Sequence, residues 1–538
     1  MAMDFKQIFQ GRFSALILAI AASILLWPAQ SMMPNYPKLL TLALTIAICL
    51  SLLGIYDLFQ IRHAILRNYP IIGHLRFFFE KIRPEMRQYF FEGDTDGRPF
   101  PRERRAIVYQ RAKRQLDKRP FGTQGDVYAE GQEWMLHSLS PKPQAEESFR
   151  VVIGGPKCTQ PYNASILNIS AMSYGALSAN AIRALNAGAK RGGFAHDTGE
   201  GSVSPYHREG GGDLIWEIGS GYFGCRTEGG AFSPERFAAT AQDSQIKMIE
   251  IKLSQGAKPG HGGVLPAAKV TEEIAQIRGV AMGKDCVSPP SHSAFATPLE
   301  LIQFVVRLRQ LSGGKPVGFK LCIGQRHEFL AIVKAMIKLK ETPDFIVVDG
   351  KEGGTGAAPA EFIDNIGMPL RDGLAFVHSA LVGADLRDQI KLGCAGKIIT
   401  GFDMARCFAL GADWCNVARG FMFAVGCIQA QTCHTGHCPT GVTTQDPLRQ
   451  RAIVVPSKAE RVANFQRETV KSLAEMLAAA GLESPQQLKP SQIFRRVGDG
   501  RILTLADQFV FLEPGALRKP KVASAFAADW ARARAESF

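Results

Sequence analysis

ILNISA (166–171), GGFAHD (192–197), DLIWEIG (213–219), KMIEIK (247–252), PVGFKL (316–321), FIVVDG (345–350), KIIT (397–400) and DWCNVA (413–418) set the rhythm of this chain. Each is a short apolar run ending in glycine or a polar residue, and stretches with helical periodicity lie between them. Eight such strand candidates alternating with helices predict an α/β protein with a (β/α)8 TIM barrel. An open doubly wound sheet is the alternative. The chemistry-bearing residues follow many different strands instead of meeting at one crevice, which is how the upper rim of a barrel is built.

Outside this stretch the chain changes character. With 538 residues, 46% hydrophobic and 21% charged, it is globular and long enough for a large core. Segments 13–29 and 39–59 contain no Lys, Arg, Asp or Glu except Asp57, and each is long enough to cross a bilayer. Only SMMPNYPK (31–38) separates them, so an uncleaved transmembrane hairpin is the better reading than a signal peptide. Lys6 and Arg12 precede the first span, and Arg62, Arg67, Arg76, Lys81 and Arg83 follow the second. The positive-inside rule then places both ends in the cytoplasm, with two spans in the inner (cytoplasmic) membrane and the catalytic domain in the cytoplasm.

Residues 59–120 hold 15 Lys plus Arg against 7 Asp plus Glu, a net +8 beside the spans, which points to anionic lipid headgroups of the bilayer. No zinc-finger spacing, RNA-reading aromatic motif or basic heptad array accompanies this charge, so nucleic acid is not expected as a partner. HLRFFFEKIRPEMRQYF (74–90) and RAIVYQRAKRQLD (105–117) read as charged amphipathic helices. The expected organisation is a hairpin at 1–60, a basic juxtamembrane linker at 61–150, the barrel at 151–445 and a helical extension at 446–538.

Two patterns inside the barrel region carry chemistry. GCIQAQTCHTGHCPTGV (426–442) places five residues between Cys427 and Cys433 and four between Cys433 and Cys438, with Pro439 after the last. So tight a set suits an iron-sulfur centre, and a cysteine followed by proline also ends ferredoxin ligand runs. His434 and His437 leave a Cys3His zinc knot open, and unliganded thiols are the third possibility. Gly353, Gly354, Thr355 and Gly356 follow the strand FIVVDG, where amides without Cβ obstruction can close on a phosphate; a plain glycine-rich turn is the alternative. Eleven cysteines without a compact spacing framework read as mostly buried free thiols in a reducing compartment.

The cysteine loop resembles the cluster loop of the glutamate synthase family. NISAMSYGALS (168–178), DTGEGS (197–202), IKLSQGAKPGHGG (251–263), SPPSH (288–292) and DGKEGGTGAAP (349–359) resemble the same family's synthase domain, in family order. The resemblance implies an FMN-binding barrel with a [3Fe-4S] cluster on Cys427, Cys433 and Cys438. It places Ala171, Met172 and Ser173 against FMN, Gly353, Gly354, Thr355 and Gly356 at its phosphate, and Gly396 and Gly401 in a further FMN loop. Lys320 is expected near flavin N1 and O2, with a snorkelling surface lysine as the alternative.

Glu200, Lys252, Lys258 and Arg278 correspond by motif to the 2-oxoglutarate site. Arg278 would pair with a carboxylate, Lys252 would reach the keto oxygen or imine, and Glu200 would orient ammonia or relay a proton. This chain departs from the family run KPGEGGQLPG by carrying His261 and Val264, which puts the keto-acid or amine in question. The family's glutaminase domain and a G-x-G-x-x-G dinucleotide fingerprint are not found, so ammonia and reducing power are expected from outside. The electron donor is expected to be a ferredoxin, an NAD(P)H-oxidising partner or a membrane donor. The implied activity is reductive amination of 2-oxoglutarate with ammonia to glutamate. The alternatives are a related amine and keto-acid pair, such as methylamine with glutamate, or a membrane-bound electron-transfer subunit.

Overall fold

A computed structural model describes residues 11–32, 36–60, 63–93, 96–145, 149–520, 522 and 524–538. Lys6 and Arg62, used above for orientation, lie outside them. The chain divides into two compact units, Met1–Arg98 and Pro99–Phe538.

The first unit contains α1 (Ser14–Met32) and α2 (Pro37–Phe59), both long and apolar enough to cross a membrane. At about 1.5 Å per residue, 23 residues of α2 reach roughly 35 Å against a hydrocarbon core of about 30 Å. Ser23 and Ser51 meet hydroxyl to hydroxyl at 3.2 Å between the helices. Gly54 permits this approach, because a Cβ there would lie 2.6 Å from Leu16 Cδ1. Asp57, the one acidic residue of α2, is buried and accepts hydrogen bonds from the Ile71 amide (2.9 Å) and from His74 Nε2. It therefore fixes the turn that leads into the amphipathic α3 (Gly73–Met86).

In the second unit, eight parallel strands close a barrel. They are β1 (Leu167–Ile169), β2 (His196–Asp197), β3 (Leu214–Ile218), β4 (Ile246–Lys252), β5 (Val317–Leu321), β6 (Phe345–Asp349), β7 (Lys391–Ala395) and β8 (Trp414–Val417). Seven match the sequence expectation. The seventh strand is KLGCA, not KIIT: Lys397–Thr400 form the bend after β7 that leads into a capped helix, with Thr400 accepting from the Asp403 amide. KIIT has β-branched residues, but KLGCA alone has the register to pair with both neighbours, from Phe345↔Lys391 on one side to Ala395↔Asn416 on the other.

Alternation along the strands sorts the barrel interior into layers. Ala195, Ile215, Met248, Phe345, Val347 and Trp414 form an apolar lower cluster. An antiparallel hairpin, Arg150–Ile153 with Tyr162–Ser165, contributes Ile153, Tyr162 and Ala164 to the same cluster. The outward faces pack against a surrounding shell of helices, among them α4 (Arg102–Ala112), α5 (Ala179–Gly192), α6 (Gly401–Ala409), α7 (Arg419–Val425) and α8 (Val455–Ala479). The C-terminal region is not purely helical: Ile493–Arg496 pairs with Glu133–Met135 and Ile502–Thr504 in a small antiparallel sheet.

Candidate active site

Two residues above the apolar layer, the same inward alternation delivers charge. Asp197, Glu217, Glu250, Lys320 and Asp349 follow Ala195, Ile215, Met248, Gly318 and Val347 by two positions each, and all five are buried. The Lys320 ammonium contacts Glu217 Oε2, lies 2.9 Å from Glu250 Oε1 and 4.0 Å from Asp197 Oδ2. Lys320 is thus an interior cation and not a surface lysine. Burial, then the neighbouring carboxylates, raise the Asp197 and Glu250 carboxyls above their ordinary values, although Lys320 opposes the shift. Glu250 Oε1 is paired with Lys320, whereas Asp197 Oδ2 and Glu250 Oε2 have no hydrogen-bond partner among the described residues. Buried acceptors of this kind are a standing cost unless a donor arrives.

Above this layer the loop after β4, residues 253–297, crosses the barrel mouth and supplies most of a second charged group. Lys252, at the end of β4, lies 3.2 Å from Glu200 of the loop after β2. Ser288 Oγ is 3.4 Å from the other Glu200 oxygen. Burial pushes the Glu200 carboxyl up, but Lys252, Arg278 and Lys258 together outweigh it and hold the group below the ordinary glutamate value. Lys258 is buried, and desolvation followed by Lys252 lowers its pKa. Arg278 ends the helix Glu272–Arg278 and donates to the Tyr174 carbonyl (3.0 Å) and Ser173 Oγ (3.4 Å), while its Nε has no partner among the described residues. The four residues singled out in the sequence therefore share one site with Ser173. Glycines make room for it: a Cβ at Gly263 would lie 1.8 Å from Glu200 Oε1, and one at Gly201 would lie 2.7 Å from Arg278 Nη2.

The other expected positions separate. Met172 donates its amide to the Asp197 carbonyl (3.2 Å), and its loop, with Ala171 and Ser173, lines the same rim. In the glycine-rich loop the Gly353 amide is spent on the Gly350 carbonyl (2.8 Å), while Gly354 and Thr355 offer carbonyls to Gln255 (3.1 Å) and Arg419. Gly356 lies in open space. Gly396, at φ +155°, follows β7 and borders a cavity beside Leu370. Gly401 serves packing, since a Cβ there would lie 2.7 Å from the Leu473 amide nitrogen of α8. His261 is exposed against Phe362 and donates its amide to the Lys258 carbonyl (3.2 Å), and Val264 is half-buried one residue from Gly263.

Cys427, Cys433 and Cys438 line one small pocket after α7. Burial pushes the Cys427 thiol up to about 11, whereas hydrogen bonds from Thr443 and Thr440 overcome burial at Cys438 and lower it. Lys269, buried, donates to the carbonyls of Ala176 (2.8 Å), Cys433 (3.3 Å) and Thr443 (3.3 Å), tying the cysteine loop to the loop after β1. Burial lowers its pKa to about 8. Neither the three loop cysteines nor His434 and His437 belong to a group of three ligand atoms within 4.8 Å of one another among the described residues.

Sequence reading passed over Glu217, Glu250 and Lys269. A signal existed for the first two: each is a lone acid inside an otherwise apolar strand run, in phase with inward-facing residues. Lys269 gave none, because a lysine that caps three distant carbonyls looks like any other lysine in sequence.

Residues 142–483 match the family model described as the conserved region in glutamate synthase. The chain is similar to the glutamate synthase large subunit-like protein YerD of Bacillus subtilis (strain 168), at 39% identity over 494 residues, covering 84% of this chain and 94% of that protein. It is 34% identical over 331 residues to the archaeal-type glutamate synthase [NADPH] of Thermotoga neapolitana, covering 61% of this chain and 62% of that one, so it spans about three fifths of that relative. Among solved structures, a flavocytochrome b2 mutant with pyruvate bound aligns at 13% identity and a TM-score of 0.39, over 78% of this chain and 85% of that one. On the family model and the full-length relative together, the chain belongs to the glutamate synthase family, oxidoreductases that act on the CH–NH2 group of donors.

Proposed function

We propose that this chain is an FMN-dependent enzyme that converts 2-oxoglutarate and ammonia to glutamate, with reducing power delivered by an external donor. The observation that carries the reading is the charge balance of the barrel mouth. Lys252, Lys258 and Arg278 against Glu200 leave a net +2 in a buried site, the complement of a dicarboxylate dianion.

The residues present fit a flavin at the upper layer. Lys320 is a cation for its electron-rich edge, and the orphaned oxygens of Asp197 and Glu250 are acceptors for a ring N–H. FMN, when bound there, supplies the hydride. Arg278 and Lys258 would bind the substrate carboxylates. Lys252 would polarise the keto oxygen and protonate it as water leaves, and Glu200, held ionised, would accept a proton from the attacking amine. Ala171, Met172, Ser173, the 353–356 loop, Gly396 and Gly401 would contribute the cofactor's backbone surroundings. Cys427, Cys433 and Cys438 would hold a [3Fe-4S] cluster, which stores single electrons from a ferredoxin, an NAD(P)H-oxidising partner or a membrane donor. The α1–α2 hairpin and the basic segment after it would anchor the chain to the inner membrane, with the barrel in the cytoplasm.

A second reading has its own support. His261 and Val264 depart from the family run next to Gly263, which packs against Glu200, and in that case the substrate is a related amine and keto-acid pair. The test is anaerobic: the flavin is reduced chemically, its reoxidation is followed on adding 2-oxoglutarate with ammonium, and glutamate is measured in the same tube. Stoichiometric glutamate supports the proposal. Reduced flavin that is stable to this pair but reoxidised by another keto-acid and amine moves the assignment to that pair. Stability to every pair, together with an unchanged rate of artificial-acceptor reduction in Lys252→Met, leaves an electron-transfer subunit.

A further inference from the structure

Three of the eleven cysteines converge away from the site described above. Cys394 on β7 and Cys415 on β8 are register partners in adjacent parallel strands, and their sulfurs lie 3.8 Å apart. Both point outward, into the layer between barrel and helices, where Cys407 of α6 completes a triangle whose sulfurs all lie within 4.8 Å of one another. All three are free and buried.

Two neighbouring strands and the helix packed on them thus hold three sulfurs rigidly. A metal–thiolate bond of about 2.3 Å sets the sulfurs of a three-coordinate ion roughly 4 Å apart. The spacing therefore suits one ion. An iron-sulfur cluster puts several irons and sulfides between its thiolates and needs them farther apart. The group contains no fourth His, Cys, Asp or Glu ligand atom among the described residues. Structural zinc takes four ligands, whereas soft thiolates in threes suit Cu(I).

An entry path exists. Cys407 lines a cavity of about 230 Å³ together with Arg104, Arg371, Lys397 and Arg406. Three of these cations are paired with carboxylates, Arg104 and Arg406 with Asp403, and Arg371 and Arg406 with Glu133. Glu352 of the same cavity binds the Leu370 amide (2.8 Å), so it braces the wall.

We propose that Cys394, Cys407 and Cys415 form a trigonal thiolate site for a single Cu(I) ion, separate from the Cys427, Cys433 and Cys438 loop. The test titrates the full-length protein, purified anaerobically with its flavin, with Cu(I) in the presence of the competing chelator bathocuproine disulfonate. One equivalent should stay with the protein, and the Cu K-edge absorption should show three sulfur neighbours at about 2.3 Å. Cys394→Ser and Cys415→Ser should each weaken retention at least tenfold, and Cys433→Ser should leave it intact. A second protein guards against misfolding of the core variants: with Cys427, Cys433 and Cys438 all replaced by serine, only the buried trio remains intact, and it should still hold one Cu(I) with three sulfurs. Retention that disappears with the loop cysteines overturns the proposal. So does retention unchanged in Cys415→Ser, or a wild-type protein that yields all its copper to the chelator.

Discussion

Lys320→Met removes the single cation from a layer that contains Glu217, Glu250 and Asp197 within ion-pair reach. Taking one partner from a buried ion pair costs about 3–5 kcal/mol, because the charge left behind has neither solvent nor counter-ion. The lower end applies here. Burial already raises Asp197 and Glu250, so protonation relieves part of the penalty. A loss of about 3 kcal/mol at pH 8 corresponds to a urea midpoint roughly 1 M lower at a slope near 3 kcal/mol/M. The assay is equilibrium urea unfolding of flavin-free protein, read from tryptophan fluorescence, since Trp216 and Trp414 are fully buried in β3 and β8.

The pH dependence sharpens the test. A raised native pKa means that the folded state keeps protons which the unfolded chain has released above about pH 4. Stability from Asp197 and Glu250 therefore falls as pH rises above that value, and removing Lys320 raises their native pKa values further. The deficit of the variant should then be larger at pH 8 than at pH 5.5. A deficit below about 1 kcal/mol at pH 8, or one equal at both pH values, would refute the buried ion cluster as a stability element.

Three further outcomes are expected. Gly263→Ala drives a methyl into the space of Glu200 Oε1, 1.8 Å away, so kcat/KM for the keto-acid should fall ten- to a hundredfold, about 1.4–2.8 kcal/mol, with the fold intact by circular dichroism. Glu200 titrates below the ordinary glutamate value of about 4.3, so a pH–rate profile should show no acid limb from it above about pH 4.5, and Glu200→Gln should lower kcat about a hundredfold or more without moving any limb above that pH. Deleting Met1–Arg98 leaves the second compact unit whole, so the product should leave the membrane fraction on ultracentrifugation and keep its bound flavin.

Much of the architecture was legible because parallel barrel strands are buried on both faces and so stand out as short apolar runs. The exception was β7: KLGCA carries a glycine and two small residues, which weakens its apolar signal, while KIIT next to it has the stronger composition and the wrong register. The charged group at the barrel mouth was legible from motifs as a set of residues, and folding brought Glu200, Lys252, Lys258 and Arg278 together with Ser173. The glycine-rich loop was read as amide donors, but its turn consumes the Gly353 amide and turns carbonyls toward Gln255 and Arg419.

By itself the sequence determined the strand count, the apolar hairpin, the cysteine loop and the identity of the charged residues, since all of these follow from local periodicity and spacing. Tertiary structure alone decided which charges meet. Glu217 and Lys320 lie 103 residues apart, with Glu250 between them, and only barrel closure sets the three in one layer. Cys394, Cys407 and Cys415 likewise come together because a helix packs back on two paired strands. Contacts of this kind depend on register and on the direction each side chain takes from its element, and neither is written in the spacing of residues along the chain.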